Sequence, residues 1–374
     1  MKNRLLLILL ICAMALSGCG GENLPSADAA GASDTAGVES GSDTADISKN
    51  GAGSDVTGAA GKSDAGSGEG SETGAPEQEP FEYNAHLYSS LIAQEVPLEY
   101  WDSLYNLCDA LRAGEDSFEC YGREAYDWCM DSGTLANLMP AACMKITGGT
   151  DTGTIRYDMP ADEFAGREAE FEKLVEGILN STIEKDDTDY EKCLKLYDYM
   201  ETNYSYDYDG RPEGMNDDGY IYFTLQSHSG QCIDFAGVYA FLLLQAGVEA
   251  VSVGCFDGVD HEWTYVLVNG RGYHIDPTWA LRESADSGQL YLSYFMMNDE
   301  IREMEGCPVG DLTVQLLPRF WANMSSVSFA ADDDSYYLGK YSVFESMDEN
   351  RKILHYRDIH GREHLLYYGK LADR

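Results

Sequence analysis

Asn269-Gly270 constrains the fold of this chain more than any other pair of residues. It lies between two runs rich in β-branched and aromatic residues, 261–268 and 271–276. Asn-Gly accepts the left-handed backbone of a type I′ turn, so the two runs should form adjacent antiparallel strands. Counting outward from the turn, Val268 pairs with Arg271 and Val266 with Tyr273. That sets Asp276 against Trp263, two residues from His261. Pro277 stops the returning strand. Upstream, 249–256 alternates and reads as a further strand. Residues 232–246 are apolar nearly all round and read as a buried helix, with Gly247 as its C-terminal cap. A helix, a strand and a hairpin in this order predict an α+β core with a helix packed on an antiparallel sheet.

The N-terminus belongs to a different regime. Lys2 and Arg4 precede Leu5 to Leu16, twelve apolar residues, a length that suits a signal peptide and is too short to span about 30 Å of hydrocarbon. Leu16-Ser17-Gly18-Cys19 then resembles the lipobox of bacterial lipoproteins. That resemblance implies cleavage before Cys19, lipidation of Cys19, and anchoring to the outer face of the cell membrane. Residues 20–80 are dominated by Gly, Ala, Ser, Asp, Thr and Glu and hold no aromatic residue. Such a stretch cannot bury enough apolar surface to offset its ordering entropy. As a coil it would span on the order of 45 Å, the reach of a tether.

The folded part is therefore expected over 81–374. Residues 81–185 read as a helical N-terminal region, 186–305 as the core, and 306–374 as a small β-rich region. Apolar spacing near 3.6 predicts helices over 85–113, 116–131, 159–180 and 188–203, a strand near 154–157, and a loop over 204–219. The net charge of -40 excludes nucleic acid and anionic lipid surfaces as partners. No C-x-x-C pair occurs, so no structural zinc site is expected, and no cofactor is called for. Cys12 would leave with the signal peptide. The eight cysteines beyond Cys19 could pair or stay as buried thiols, and the sequence leaves both open.

Three residues carry chemistry. Cys232 opens a helix, where the positive end of the helix dipole favours thiolate. His261 opens one strand and can take the thiol proton. Asp276 ends the neighbouring strand and can fix the imidazole. The runs Gly230-Gln231-Cys232-x-x-x-Ala236, Gly247-Val248-x-Ala250, His261-x-Trp263 and Tyr273-x-x-Asp276-Pro277-Thr278-Trp279 resemble the core of the transglutaminase-like superfamily, of papain-like fold. The resemblance covers about 195–300 and departs at Ile233 and Glu262, which bear on substrate preference. It implies Cys232 as nucleophile, His261 as base, Asp276 as orienting carboxylate, and Gln226 as an oxyanion donor beside the Cys232 amide. Trp263 and Trp279 are expected to wall the cleft. A zinc site from Cys232, His261 and His274 matches no metal spacing, and His228 reads as a loop histidine. The function implied is acyl transfer through a Cys232 thioester on a protein or peptide substrate, cell-wall associated given the tether. The alternative is a catalytically silent binding or scaffold module of the same fold.

Overall fold

At the Asn269-Gly270 turn the backbone has φ of +53° and +73°, as a type I′ hairpin requires. The computed structural model describes residues 79–208, 220–255, 259–284, 287–310, 312–314 and 327–371. Cys19, the signal peptide and nearly all of the tether lie outside the described residues, as do 209–219 of the expected loop. Four helices and two short strands come first: α1 (Leu98–Ala113), α2 (Arg123–Cys129), α3 (Ser132–Leu138), β1 (Ile146–Gly148), β2 (Ile155–Tyr157) and α4 (Ala161–Thr182). The expected helix over 85–113 begins only at Leu98. Pro97 fixes its start, since proline restricts the residue before it to extended conformations. The run 116–131 is likewise helical only from Arg123, after Gly122 at φ +130°.

The core follows: α5 (Asp189–Asn203), β3 (Ser205–Tyr206), α6 (Tyr220–Ser227), β4 (Ser229–Gly230), α7 (Cys232–Gln245), then β5 (Ala250–Cys255), β6 (His261–Val268) and β7 (Arg271–Ile275). Strands β5, β6 and β7 form one antiparallel sheet with β6 in the centre. Its hairpin register is the one read from the turn, with Val268 opposite Arg271 and Val266 opposite Tyr273. Helices α8 (Pro277–Ser284) and α9 (Asp299–Met304) come next, and β8 (Val343–Asp348), β9 (Ile353–Arg357) and β10 (Glu363–Leu366) make a second antiparallel sheet.

Both faces of the first sheet are buried, so β5 and β6 are buried at nearly every position and carry apolar residues on both sides. On one face Val266, Val268, Tyr273 and Ile275 pack with Phe235, Val238 and Leu242 of α7 and with α5. On the other, Val251, Val253, Trp263 and Tyr265 pack with Trp101 and Leu104 of α1 and Trp128 of α2. Helix α7 ends in a Schellman motif. Gly247 takes φ +84°, its N–H donates to the Leu244 carbonyl at 2.9 Å, and the Val248 N–H donates to the Leu243 carbonyl at 2.9 Å.

Helix α5 starts with a capping box between Thr188 and Glu191. The fully buried Glu191 carboxylate also accepts from Lys352 Nζ at 2.8 Å and from the Tyr368 hydroxyl at 2.5 Å, joining the core to the second sheet and the turn after it. Burial alone would raise the Glu191 pKa. The hydrogen bonds from Lys352, Tyr368 and Thr188 outweigh that and hold it below the usual carboxylate range.

Candidate active site

Cys232 is the first residue of α7, half-buried, with the helix N-terminus behind it. Two local features set that terminus. The Gln231 amide donates to Asp234 Oδ2 at 2.8 Å, so a side chain three residues on caps the entry to the helix. Gly230 leaves room for this, because a Cβ there would fall 2.7 Å from Asp234 Cβ and 2.9 Å from its Oδ2. Gly230 also pairs in parallel with Tyr206, and the Asp207 amide donates to its carbonyl at 2.8 Å. The segment entering Cys232 is thus held on both sides.

Helix α7 is tied to the central strand near the same end. The Thr264 hydroxyl donates to the Ala236 carbonyl at 3.1 Å, four residues past Cys232 and three past His261. His261 opens β6 and is 5 % exposed. Its Nε2 lies 2.7 Å from Asp276 Oδ2, and Asp276 is fully buried. A neutral imidazole bound to a carboxylate in this way carries its proton on Nε2 and leaves Nδ1 as an acceptor. The ring of Trp279 stacks on that of His261, with centroids 4.8 Å apart and planes 14° apart.

The Asp276 carboxylate takes four donors. Oδ2 accepts from His261 and from Arg302 Nη2 at 2.9 Å. Oδ1 accepts from the amides of Thr278 at 3.0 Å and Trp279 at 3.1 Å. Those two bonds make Asp276 the N-cap of α8, with Pro277 at the first helical position, where its missing N–H costs nothing. The Asp-Pro-Thr-Trp run is therefore a helix start as well as the end of a strand. Burial pushes the Asp276 pKa up. The charges of His261 and Arg302 and the hydrogen bonds from His261 and the Trp279 amide outweigh it, and the carboxyl is held below its ordinary value.

Arg302, on α9, carries no motif in the sequence and escaped the reading of it. It is fully buried, with its guanidinium carbon 4.2 Å from the Trp263 ring centroid and 4.4 Å from that of Trp279. A guanidinium between two indole faces and beside a carboxylate is a favourable cation–π and ionic site. Its Nη2 also lies 3.0 Å from Cys307 Sγ. A lone arginine among the acids of α9 gives no sequence signal, because its carboxylate and indole partners stand 23 to 39 positions upstream.

Other expectations fare differently. Trp279 is half-buried against the imidazole, as a wall would be. Trp263 is fully buried and supports the site from behind, because its strand position faces the second apolar cluster. Its Nε1–H donates to His274 Nδ1 at 3.0 Å, and His274 Nε2 lies 2.9 Å from Asp299 Oδ1. Both nitrogens of His274 are thus engaged away from Cys232, and burial lowers its pKa against the opposing pull of Asp299. Gln226 is exposed on α6, whereas Gln231, adjacent to the thiol, donates from Nε2 to the Asp207 carbonyl at 3.3 Å. His228 is a turn residue at φ +56°, stacked on Tyr204 at 5.0 Å.

The described cysteines are all thiols. Burial pushes the Cys108, Cys129 and Cys193 thiols far up, and that of Cys307 to about 12. Those four stay protonated near neutrality.

Residues 176–277 match the family model of the transglutaminase-like superfamily, a span that includes Cys232, His261 and Asp276. No curated protein matches the chain. Among solved structures, a proposed cysteine protease from Cytophaga hutchinsonii is 20% identical over 29% of this chain and 37% of that one, with a TM-score of 0.23. The crystal structure of a TGase is 18% identical over 32% of this chain and 34% of that one, with a TM-score of 0.25. The chain thus spans about a third of the length of each of these two proteins. By its motifs, its family match and its helix-on-sheet architecture, the chain carries a transglutaminase-like core of α+β, papain-like type.

Proposed function

We propose that the chain is a cell-surface cysteine acyl-transfer enzyme that acts on a protein or peptide, with Cys232 as nucleophile, His261 as base and Asp276 as the orienting carboxylate. One observation carries this reading: a buried His261–Asp276 pair that leaves Nδ1 for a thiol, on the strand against which the Cys232 helix packs. The Cys232 proton passes to Nδ1, and the thiolate adds to the substrate carbonyl. The C–N bond breaks, and the leaving amine takes the proton from the imidazolium. A thioester remains. Water then attacks it, giving a peptidase or amidase, or a second amine does, giving a cross-link. In either case the C–S bond breaks and the thiol is restored.

Incubation with a peptide vinyl sulfone, to which a thiolate adds across the double bond, tests this. The expected result is a single adduct on Cys232 by mass spectrometry, forming about tenfold more slowly near pH 6 in His261→Ala. No adduct on Cys232 anywhere between about pH 5 and 9 overturns it and leaves the fold as a binding module.

The surface placement rests on Leu16-Ser17-Gly18-Cys19 and the tether behind it. Cys19→Ser is expected to move the protein out of the membrane fraction. A variant that stays with the membranes refutes the lipid anchor.

A further inference from the structure

Two cysteines outside the catalytic set converge beside it. On β5, Val251, Val253 and Cys255 share one face, because side chains alternate along a strand. That face packs into the cluster that holds Trp263, Tyr265 and Cys307. Cys255 stands directly opposite His261 in the β5–β6 register, so the two side chains leave the sheet on the same side. Cys307 follows α9. Its Sγ lies 3.0 Å from Nη2 of Arg302, the nitrogen that also binds Asp276. Cys255 is 3 % exposed and Cys307 is fully buried, and both are thiols.

The chain beyond Cys307 returns to the same end of β5. The Gly254 amide donates to the Thr313 carbonyl at 2.8 Å, and the Thr313 amide donates to the Gly254 carbonyl at 3.0 Å. The residue before Cys255 is thus fastened to a residue six positions after Cys307. Burial above all lifts the Cys307 thiol; Arg302 opposes the rise, and the charges of Asp276 and Cys255 add to it. The two sulfurs are therefore within electrostatic reach of one another.

A buried cysteine often serves only as a small apolar residue. This pair differs, because two thiols 52 positions apart are brought to one strand end by packing and by paired backbone bonds. We propose that Cys255 and Cys307 are a redox site that closes to a disulfide and staples the strand beside His261 to the end of the helix carrying Arg302. The oxidant is another disulfide. One cysteine thiolate attacks it and releases a first thiol; the second cysteine thiolate then attacks the mixed disulfide and releases a second. One S–S bond forms as another breaks, and the two cysteine protons end on the two released thiols. The exchange takes place as the chain folds or opens, since both sulfurs are buried in the native fold. Closure also keeps Cys255, the thiol across the sheet from His261, from pairing with Cys232. The export signal bears on where oxidation occurs, because disulfides persist outside the cytosol. The pair itself rests on the packing, and neither part needs Cys232 to be active.

The test equilibrates the full-length chain, in a neutral detergent and denaturant below its midpoint, with glutathione and an excess of glutathione disulfide. Acid quenching and N-ethylmaleimide then trap the remaining thiols. Chymotrypsin, which cuts between Cys232 and Cys255 at Tyr239, yields peptides for mass spectrometry. The expected product is a Cys255–Cys307 linked peptide, with Cys232 joined to neither. The cross-link closes a loop of about fifty residues, so the unfolding equilibrium constant should fall on the order of a hundredfold. Reductant, or Cys255→Ala, should remove the oxidant-dependent part of that gain. Thiols at both positions overturn the proposal, as does a link from either to a different cysteine. A Cys255–Cys307 link that leaves the unfolding midpoint unmoved or lowers it overturns the staple. The mapping is read on the unmutated chain, so it depends on no variant folding. Because no turnover is measured, an inert Cys232 leaves the result readable.

Discussion

At about pH 6, alkylation of Cys232 by iodoacetamide should slow roughly tenfold when His261 is replaced by alanine. An ordinary thiol titrates near about 8.5, so at that pH only roughly one molecule in 300 is thiolate. A thiol that has given its proton to an imidazole is almost wholly thiolate, a gain on the order of a hundredfold. Its nucleophilicity falls as its basicity falls, with a slope of about 0.4–0.5, and that returns a factor of roughly ten. The net effect is about tenfold at pH 6, and it should shrink toward unity near about pH 9, where an ordinary thiol ionises unaided. Residue-resolved mass spectrometry reads it directly. Cys108, Cys129, Cys193 and Cys307 serve as internal controls, because burial keeps them protonated. Equal rates at Cys232 in both proteins across that pH range would show that no thiolate–imidazolium pair forms.

The second large effect is expected at Arg302. Arg302→Met removes the cation from a carboxylate that is fully buried. Breaking a buried pair by deleting one partner typically costs about 3–5 kcal/mol, because the remaining charge is left desolvated. The indole faces of Trp263 and Trp279 lose their guanidinium at the same time. A fall in unfolding free energy of that order, read by denaturant titration, is the structural part of the prediction.

The pH dependence separates a role at Asp276 from packing alone. In the unmutated protein the Asp276 pKa is depressed. Its stabilising contribution is therefore complete above the unfolded-state value of about 3.9 and is lost as pH falls through the lower folded value. Without Arg302 the opposing effect of burial gains, and the folded value must rise. The acid limb of Cys232 alkylation should then move to higher pH. Arg302→Lys should restore part of it, since an ammonium keeps the charge without the planar fork. An acid limb unmoved in Arg302→Met would make the arginine a packing residue only.

Much of this was legible in the sequence because it is local. The Asn269-Gly270 turn set the β6–β7 register, and the register set Asp276 near His261. The helix opened by Cys232 followed from an unbroken apolar run closed by Gly247. What escaped was non-local or had two meanings. Arg302 reaches Asp276 only through the packing of α9. His274 is a buried bridge between Trp263 and Asp299, and nothing in its neighbours announces that. Pro277 read as the end of a strand, and it is equally the start of α8, because a capping aspartate precedes it. Trp263 was assigned to the cleft wall, although alternation along β6 already placed it on the face opposite Thr264 and Val266, where it is fully buried.

Glu191 has a consequence for how the chain folds. Its hydrogen bond to Tyr368 spans 177 positions, and that to Lys352 spans 161. Closing loops of that length costs on the order of 4–5 kcal/mol of chain entropy. A core assembled without residues 352–368 would hold a buried carboxylate short of two of its donors, a penalty comparable to that entropy. Half-assembled states are therefore disfavoured from both sides. The core and the second sheet should melt and form in one cooperative transition, and the Glu191 cap links the two halves in that transition.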